Sequence, residues 1–203
     1  MNRADNYSLL LLAGGKSSRM GEDKAKLLYN GKTFVECLIE KARQLGITRI
    51  YLSGNQEQRE CAQVIQDIYP EIGPLGGIHA GLKNLQTPYC LVLPVDVPQI
   101  PLEFLEEMLT FHESHDFYNG DREIPFLLEQ EGFLEPLIGI YPAGLWEFIE
   151  KRIKDGQLSV FRMLKQWGCE CYRTEIPKWQ LANINTQDEY KKLLEIKKET
   201  VKN

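Results

Sequence analysis

The chain lacks any long hydrophobic run. None of its apolar stretches approaches the ~18 residues that suggest a membrane span. The run at 9–13 (LLLLA) is shorter than the roughly 7–15 residues of a secretory core, so the cytoplasm is the expected compartment. A basic excess is also missing. Lys and Arg number 24 against 29 Asp and Glu, a net charge of −5, which argues against a nucleic-acid surface because such a surface needs a basic face. Cysteine is sparse: Cys37, Cys61, Cys90, Cys169 and Cys171 are odd in number and scattered. Zinc sites usually take two close pairs, and only Cys169-x-Cys171 is close. In a strand those two would share one face, as small core or edge residues. Internal repeats and low-complexity linkers are absent, so nothing divides the 203 residues. At 43% apolar, the chain reads as one domain, 1–203, with a real core.

What is present is an alternation of strand and helix patterns. Residues 8–13 read as a strand buried on both faces and ending in Gly14-Gly15. Apolar positions Phe34, Val35, Leu38, Ile39, Ala42 and Leu45 recur at helical spacing from Thr33, and Gly46 stops that helix. A strand at 47–54, a helix around 56–62, a strand at 63–67, a glycine-rich turn opening a helix at 73–85 and a strand at 89–98 follow. The second half is more mixed: two strands in 125–142 around a loop with Gly132, two helices in 143–168, and a strand at 169–176. A terminal helix opens at Thr186 and Glu189, which have capping-box spacing. This alternation implies an α/β fold with a mostly parallel central sheet flanked by helices.

Most of the functional information sits in the loop after the first strand. Two familiar phosphate motifs fail there. Gly15-Lys16-Ser17 imitates the end of a Walker A loop, but the glycine required five positions earlier is Leu10; G-x-G-x-x-G fails because Gly14 and Gly15 are adjacent. The chemistry still suits an anion. Two glycines permit close backbone approach, Ser17 and Ser18 can donate hydrogen bonds, and Lys16, Arg19, Lys24 and Lys26 outnumber Glu22 and Asp23. A loop at the carboxyl end of a buried strand lies where open α/β sheets bind ligands.

The pattern L-A-G-G-x-S-x-R-M-G-x-D-K at 12–24 resembles the signature of the molybdenum cofactor guanylyltransferases, Rossmann-like nucleotidyltransferases that act on nucleoside triphosphates. The resemblance runs from about residue 8 to about residue 192. It implies nucleotide contacts at Leu12, Ala13, Gly14, Gly15, Lys24, Asn55, Asp67 and Asp96. Asn55 matches a nucleotide-contacting asparagine, and Asp67, in Val64-Ile65-Gln66-Asp67, matches the aspartate used for guanine. Gly73-Pro74-Leu75-Gly76-Gly77-Ile78 resembles the turn that runs under the base. Asp96, before Val97-Pro98-Gln99-Ile100-Pro101, matches the aspartate that binds Mg²⁺. Arg19, Lys24 and Asp96 are the implied catalytic residues. Glu135-Pro136-Leu137, with Ile140-Tyr141, and Asn183 through Asn185 match stretches of the acceptor half, which implies Glu135, Pro136, Asn183 and Asn185 as acceptor contacts. His79 is assigned no role.

The implied reaction moves GMP from GTP to molybdopterin, with the nucleotide in about 1–110 and the acceptor in about 111–203. Transient contact with other cofactor-biosynthesis proteins is expected; nucleic acid and membrane are not, and a monomer is the default. Departures from the pattern are a loop one residue shorter than in members with two glycines, Val95 and Val97 in place of Cys and Thr, and Leu158 where arginine is common. The last puts pterin contact in doubt more than the chemistry. Alternatives are CTP as donor, a sugar phosphate as acceptor, or a non-catalytic carrier of GTP or cofactor.

Overall fold

A computed structural model of the chain describes residues 2–13, 27–54 and 61–200, with side chains through 195. A single turn, α1 (Arg3–Asn6), leads into β1 (Tyr7–Leu12). β2 (Leu28–Tyr29) and β3 (Lys32–Thr33) form a small antiparallel ladder before α2 (Phe34–Gln44). Next come β4 (Arg49–Ser53), β5 (Gln63–Ile65), α3 (Pro74–Lys83), β6 (Tyr89–Pro94) and α4 (Leu102–Ser114). A second short ladder, β7 (Tyr118–Asn119) with β8 (Arg122–Glu123), precedes β9 (Phe126–Gln130) and β10 (Phe133–Pro142). α5 (Trp146–Lys154), α6 (Val160–Trp167), β11 (Glu170–Thr174) and α7 (Gln187–Thr200) follow.

Seven strands form the main sheet in the order β11-β9-β10-β6-β1-β4-β5. β10 runs antiparallel to both of its neighbours, and every other pairing is parallel. The chain winds outward from β1 through β4 to β5, then returns across β1 to lay down β6 on the other side. That reversal makes the carboxyl ends of β1 and β6 a topological switch point, where ligands of open α/β sheets bind.

All six residues of β1 are buried, and their alternation divides the core in two. Tyr7, Leu9 and Leu11 pack under α2 and α4, while Leu10 and Leu12 pack under α3 and, with Cys90 and Val92 of β6, against the α5 and α6 layer. Burying each such leucine contributes about 1.5–3 kcal/mol. The polar atoms of this strand have partners: Ser8 Oγ lies 2.7 Å from Thr87 Oγ1, and Tyr7 Oη 2.8 Å from His112 Nδ1. α2 starts at a full capping box, with Thr33 Oγ1 accepting from the Glu36 N–H and the Glu36 carboxylate accepting from the Thr33 N–H.

The mostly parallel α/β sheet matches the sequence expectation, with differences at the edges. The strand expected at 89–98 ends at Pro94, because Val95 and Asp96 form a turn. Residues 56–60 of the helix expected around 56–62 lie outside the described residues, and Cys61 and Ala62 are not helical. α1, α4 and the two short ladders have no counterpart among the expectations. No helix among the described residues is long and apolar enough to cross a membrane.

Candidate active site

Gly14, Gly15, Lys16, Ser17, Ser18, Arg19, Lys24, Lys26 and Asn55 lie outside the described residues. Their points of attachment do not: Ala13 follows β1 and Gly54 follows β4, both at the carboxyl edge of the sheet. The other expected site residues fall along that same edge. Asp67 stands two residues past β5, and Asp96 two residues past β6. Antiparallel pairing of Gly139 with Val92 carries the first half of β10, including Glu135 and Pro136, beyond the end of β6. Across the edge the order is therefore Asp67, Gly54, Ala13, Asp96, Glu135. Adjacent strands lie about 4.8 Å apart, so Asp67 and Asp96 are separated by roughly 14 Å along the edge.

The Asp96 turn is fastened on several sides. The Val95 N–H donates to Leu12 O (3.2 Å), joining the turn to the end of β1. The Ile184 N–H donates to Asp96 O (2.9 Å), which brings exposed Asn183 and Asn185 beside the turn. Below them the Asn185 and Thr186 N–H groups donate to Glu189 Oε2 (2.7 and 2.8 Å), and the Glu189 N–H to Thr186 Oγ1 (3.2 Å). This is the capping box expected from the sequence, and it starts α7 at the site. Gln99 Nε2 donates to Trp179 O (2.9 Å), and Lys41 Nζ donates to Pro98 O and Ile100 O (2.7 Å each).

On the β5 flank, Asp67 Oδ1 is buried and has no hydrogen-bond partner among the described residues, and burial pushes its carboxyl above the usual aspartate range. An unpaired buried acceptor is costly, so this oxygen is suited to a ligand that brings donors. Behind it, α3 begins with Pro74 in its first turn, where a missing N–H costs nothing. A Cβ on Gly77 would lie 2.8 Å from Ser53 Oγ and 3.1 Å from Leu12 Cδ2, so only glycine lets this helix start pack against the ends of β1 and β4.

On the other flank, β10 takes four residue steps from Glu135 to Gly139 against one step of β9. The excess is a wide bulge of the kind that re-aims side chains. The Tyr141 hydroxyl donates to Pro136 O and holds it, while burial pushes the Glu135 carboxyl up.

His79 and the cysteines carry no group of this edge. His79 is fully buried between α3 and α5, with Nε2 3.6 Å from Glu150 Oε1 and the ring against Tyr69 and Trp146. All five cysteines are free, and burial pushes Cys171 up to about 11. Groups of three or more metal-capable His, Cys, Asp or Glu are absent among the described residues. The sequence expectations missed Lys41 and Gln99. The available signal for Lys41 was its place on the otherwise apolar face of α2, between Leu38 and Leu45.

A sheet that reverses its winding at β1 and β6, with Asp67 and Asp96 following strands that end on one carboxyl edge, is the arrangement in which open α/β proteins bind ligands. Residues 9–170 match the MobA-like NTP transferase domain, and the chain belongs to that family of nucleotidyltransferases. A "Probable molybdenum cofactor guanylyltransferase" from Peptoclostridium acidaminophilum is 31% identical over 201 residues, covering 95% of this chain and 90% of that one. The "Molybdenum cofactor guanylyltransferase" of Pseudomonas fluorescens is 31% identical over 187 residues, covering 89% and 90%. The crystal structure of molybdopterin-guanine dinucleotide biosynthesis protein A from Archaeoglobus fulgidus has the same fold, with a TM-score of 0.74 over 95% of this chain and 99% of that one at 23% identity.

Proposed function

We propose that this protein transfers GMP from GTP to the terminal phosphate of molybdopterin and releases pyrophosphate. The names of its relatives support the substrates. The observation that carries the reading is the order of groups on the carboxyl edge: Asp67 on one flank, Asp96 in the middle, Glu135 and the Asn183–Asn185 stretch on the other. A donor base, a reacting phosphate and an acceptor need that order. Guanine offers N1–H and N2–H₂ to a carboxylate, an edge that cytosine lacks, so the orphaned Asp67 oxygen favours GTP over CTP.

In the transfer, an oxygen of the molybdopterin phosphate attacks the α-phosphorus of GTP; a P–O bond forms and the bond to the β-phosphate oxygen breaks. The attacking group already carries negative charge, so no protein nucleophile is required. The protein's part is positioning and charge neutralisation. Arg19 and Lys24 neutralise the triphosphate, Arg19 nearer the leaving pyrophosphate, and Leu12, Ala13, Gly14, Gly15 and Asn55 complete the nucleotide contacts. Glu135, Pro136, Asn183 and Asn185 take the acceptor.

Asp96 would hold Mg²⁺. The residues present fit this ion: one carboxylate in a half-buried turn and no Cys or His beside it in sequence. Mg²⁺ takes few protein carboxylates and fills its remaining positions with phosphate oxygens and water. When bound, it supplies charge neutralisation and alignment of the phosphates.

Thermal unfolding with Mg²⁺ and equal concentrations of GTP, CTP, ATP or UTP tests the base assignment. A nucleotide at 100 times its dissociation constant stabilises by about 2.7 kcal/mol, a shift of a few degrees. GTP alone should shift the wild type, and Asp67→Ala should abolish the shift. A larger shift with CTP would overturn the guanine reading.

A further inference from the structure

We propose that Lys41 is a positioning residue for Asp96, acting from beneath the sheet edge through the backbone of the 95–100 turn. The inference rests on the proposed role of Asp96 and extends it to a side chain on α2.

The geometry is unusual for a lysine. Nζ sits 2.7 Å from two backbone carbonyls, Pro98 O and Ile100 O, both in the turn that follows Asp96. No carboxylate forms an ion pair with Lys41 among the described residues; Glu40 and Glu103 and the Cys37 thiol act on it only at a distance. Burial draws the ammonium down to about 8. Lys41 is half-buried, and a lysine drawn out of water is rarely kept without a partner. Here the partners are carbonyls that would otherwise be left without donors, since Pro98 and Pro101 interrupt the N–H groups available nearby.

The other fastenings of the turn act from other directions. Leu12 O takes the Val95 N–H, Ile184 reaches Asp96 O, and Gln99 reaches Trp179 O. Lys41 fixes the far limb, from Pro98 to Ile100, against α2. Without it two carbonyls lose charge-assisted donors and the turn can pivot about its remaining ties. A small displacement at a reacting centre costs turnover steeply, whereas the base contact on the β5 flank is remote from this limb.

The test compares Lys41→Met, Lys41→Arg and wild type. Lys41→Met should lower kcat at least tenfold with little change in KM for GTP, and should weaken Mn²⁺ binding to the GTP-loaded protein, read by electron paramagnetic resonance. Lys41→Arg, which keeps charge and donors, should recover most of both. Amide hydrogen exchange of 95–100 in the ligand-free protein should rise in Lys41→Met alone. If Lys41→Met melts lower than wild type but keeps kcat and Mn²⁺ affinity at a temperature where it is folded, Lys41 is only structural and the proposal fails. Asp96→Asn serves as the separate control: if it transfers GMP normally, the reading of Asp96 itself fails, whatever Lys41 does.

Discussion

Asp67 and Glu135 are half-buried carboxyls on opposite flanks of one sheet edge, each pushed upward by burial. For Asp67 the shift has a definite consequence. Its ordinary value is 3.8 and its value in the fold is higher, so the stability it contributes without ligand is present below 3.8 and is lost as pH rises through the raised value. Ligand binding runs the other way, because only the ionised carboxylate accepts both guanine donors. GTP affinity should therefore fall, as pH is lowered from neutral, at a higher pH than an ordinary aspartate would give. In Asp67→Asn both the GTP preference and this pH dependence should vanish; isothermal titration at a series of pH values reads both. Unchanged pH dependence in Asp67→Asn would remove Asp67 from the base site. Asp96 stands out in the sequence as an acid following an apolar strand, whereas Asp67 stands out only through the family resemblance. Lys41 is legible only as a charge on an apolar helix face, because its partners lie 57 and 59 residues away and are set by topology.

Among the elements, β1, α2, β4, β6 and the paired strands of 125–142 are legible from their apolar periods or runs, and the remaining expected elements (β5, α3, α5, α6, β11 and the start of α7) from shorter patterns bounded by turn or cap residues. α4 carries helical spacing at Phe104, Leu105, Met108, Leu109 and His112 yet has no counterpart among the expectations, and its flanking prolines and mixed charge obscure its start. Two-residue ladders are too short for any periodicity to mark them. The bulge in β10 is equally hidden, since it exists only relative to β9. Its anchor is testable. A Cβ on Gly139 would lie 2.5 Å from Leu127 Cδ2, 2.7 Å from Phe126 O and 3.0 Å from Leu127 Cα. The backbone of β9 cannot yield without breaking its ladder, so Gly139→Ala should destabilise by about 1–3 kcal/mol, read as a lower denaturant midpoint. A wild-type midpoint would contradict the close approach of β9 and β10.

For the whole molecule, the alternation of strands and helices makes the α/β class legible. The sheet order is not, because β10 inserts antiparallel between β6 and β9 and no local pattern records that choice. That order is what places Glu135 and Pro136 next to Asp96 rather than beyond β5. The central claim, guanylyl transfer across this edge, is tested most directly with GTP labelled at the α-phosphorus, Mg²⁺ and molybdopterin, following label and pyrophosphate together. The account predicts one pyrophosphate released for each labelled dinucleotide formed, a loss of roughly 10²-fold or more in Asp96→Asn, and little transfer from CTP. Transfer from CTP at the rate of GTP, or GTP binding with no pyrophosphate released on adding molybdopterin, would contradict it.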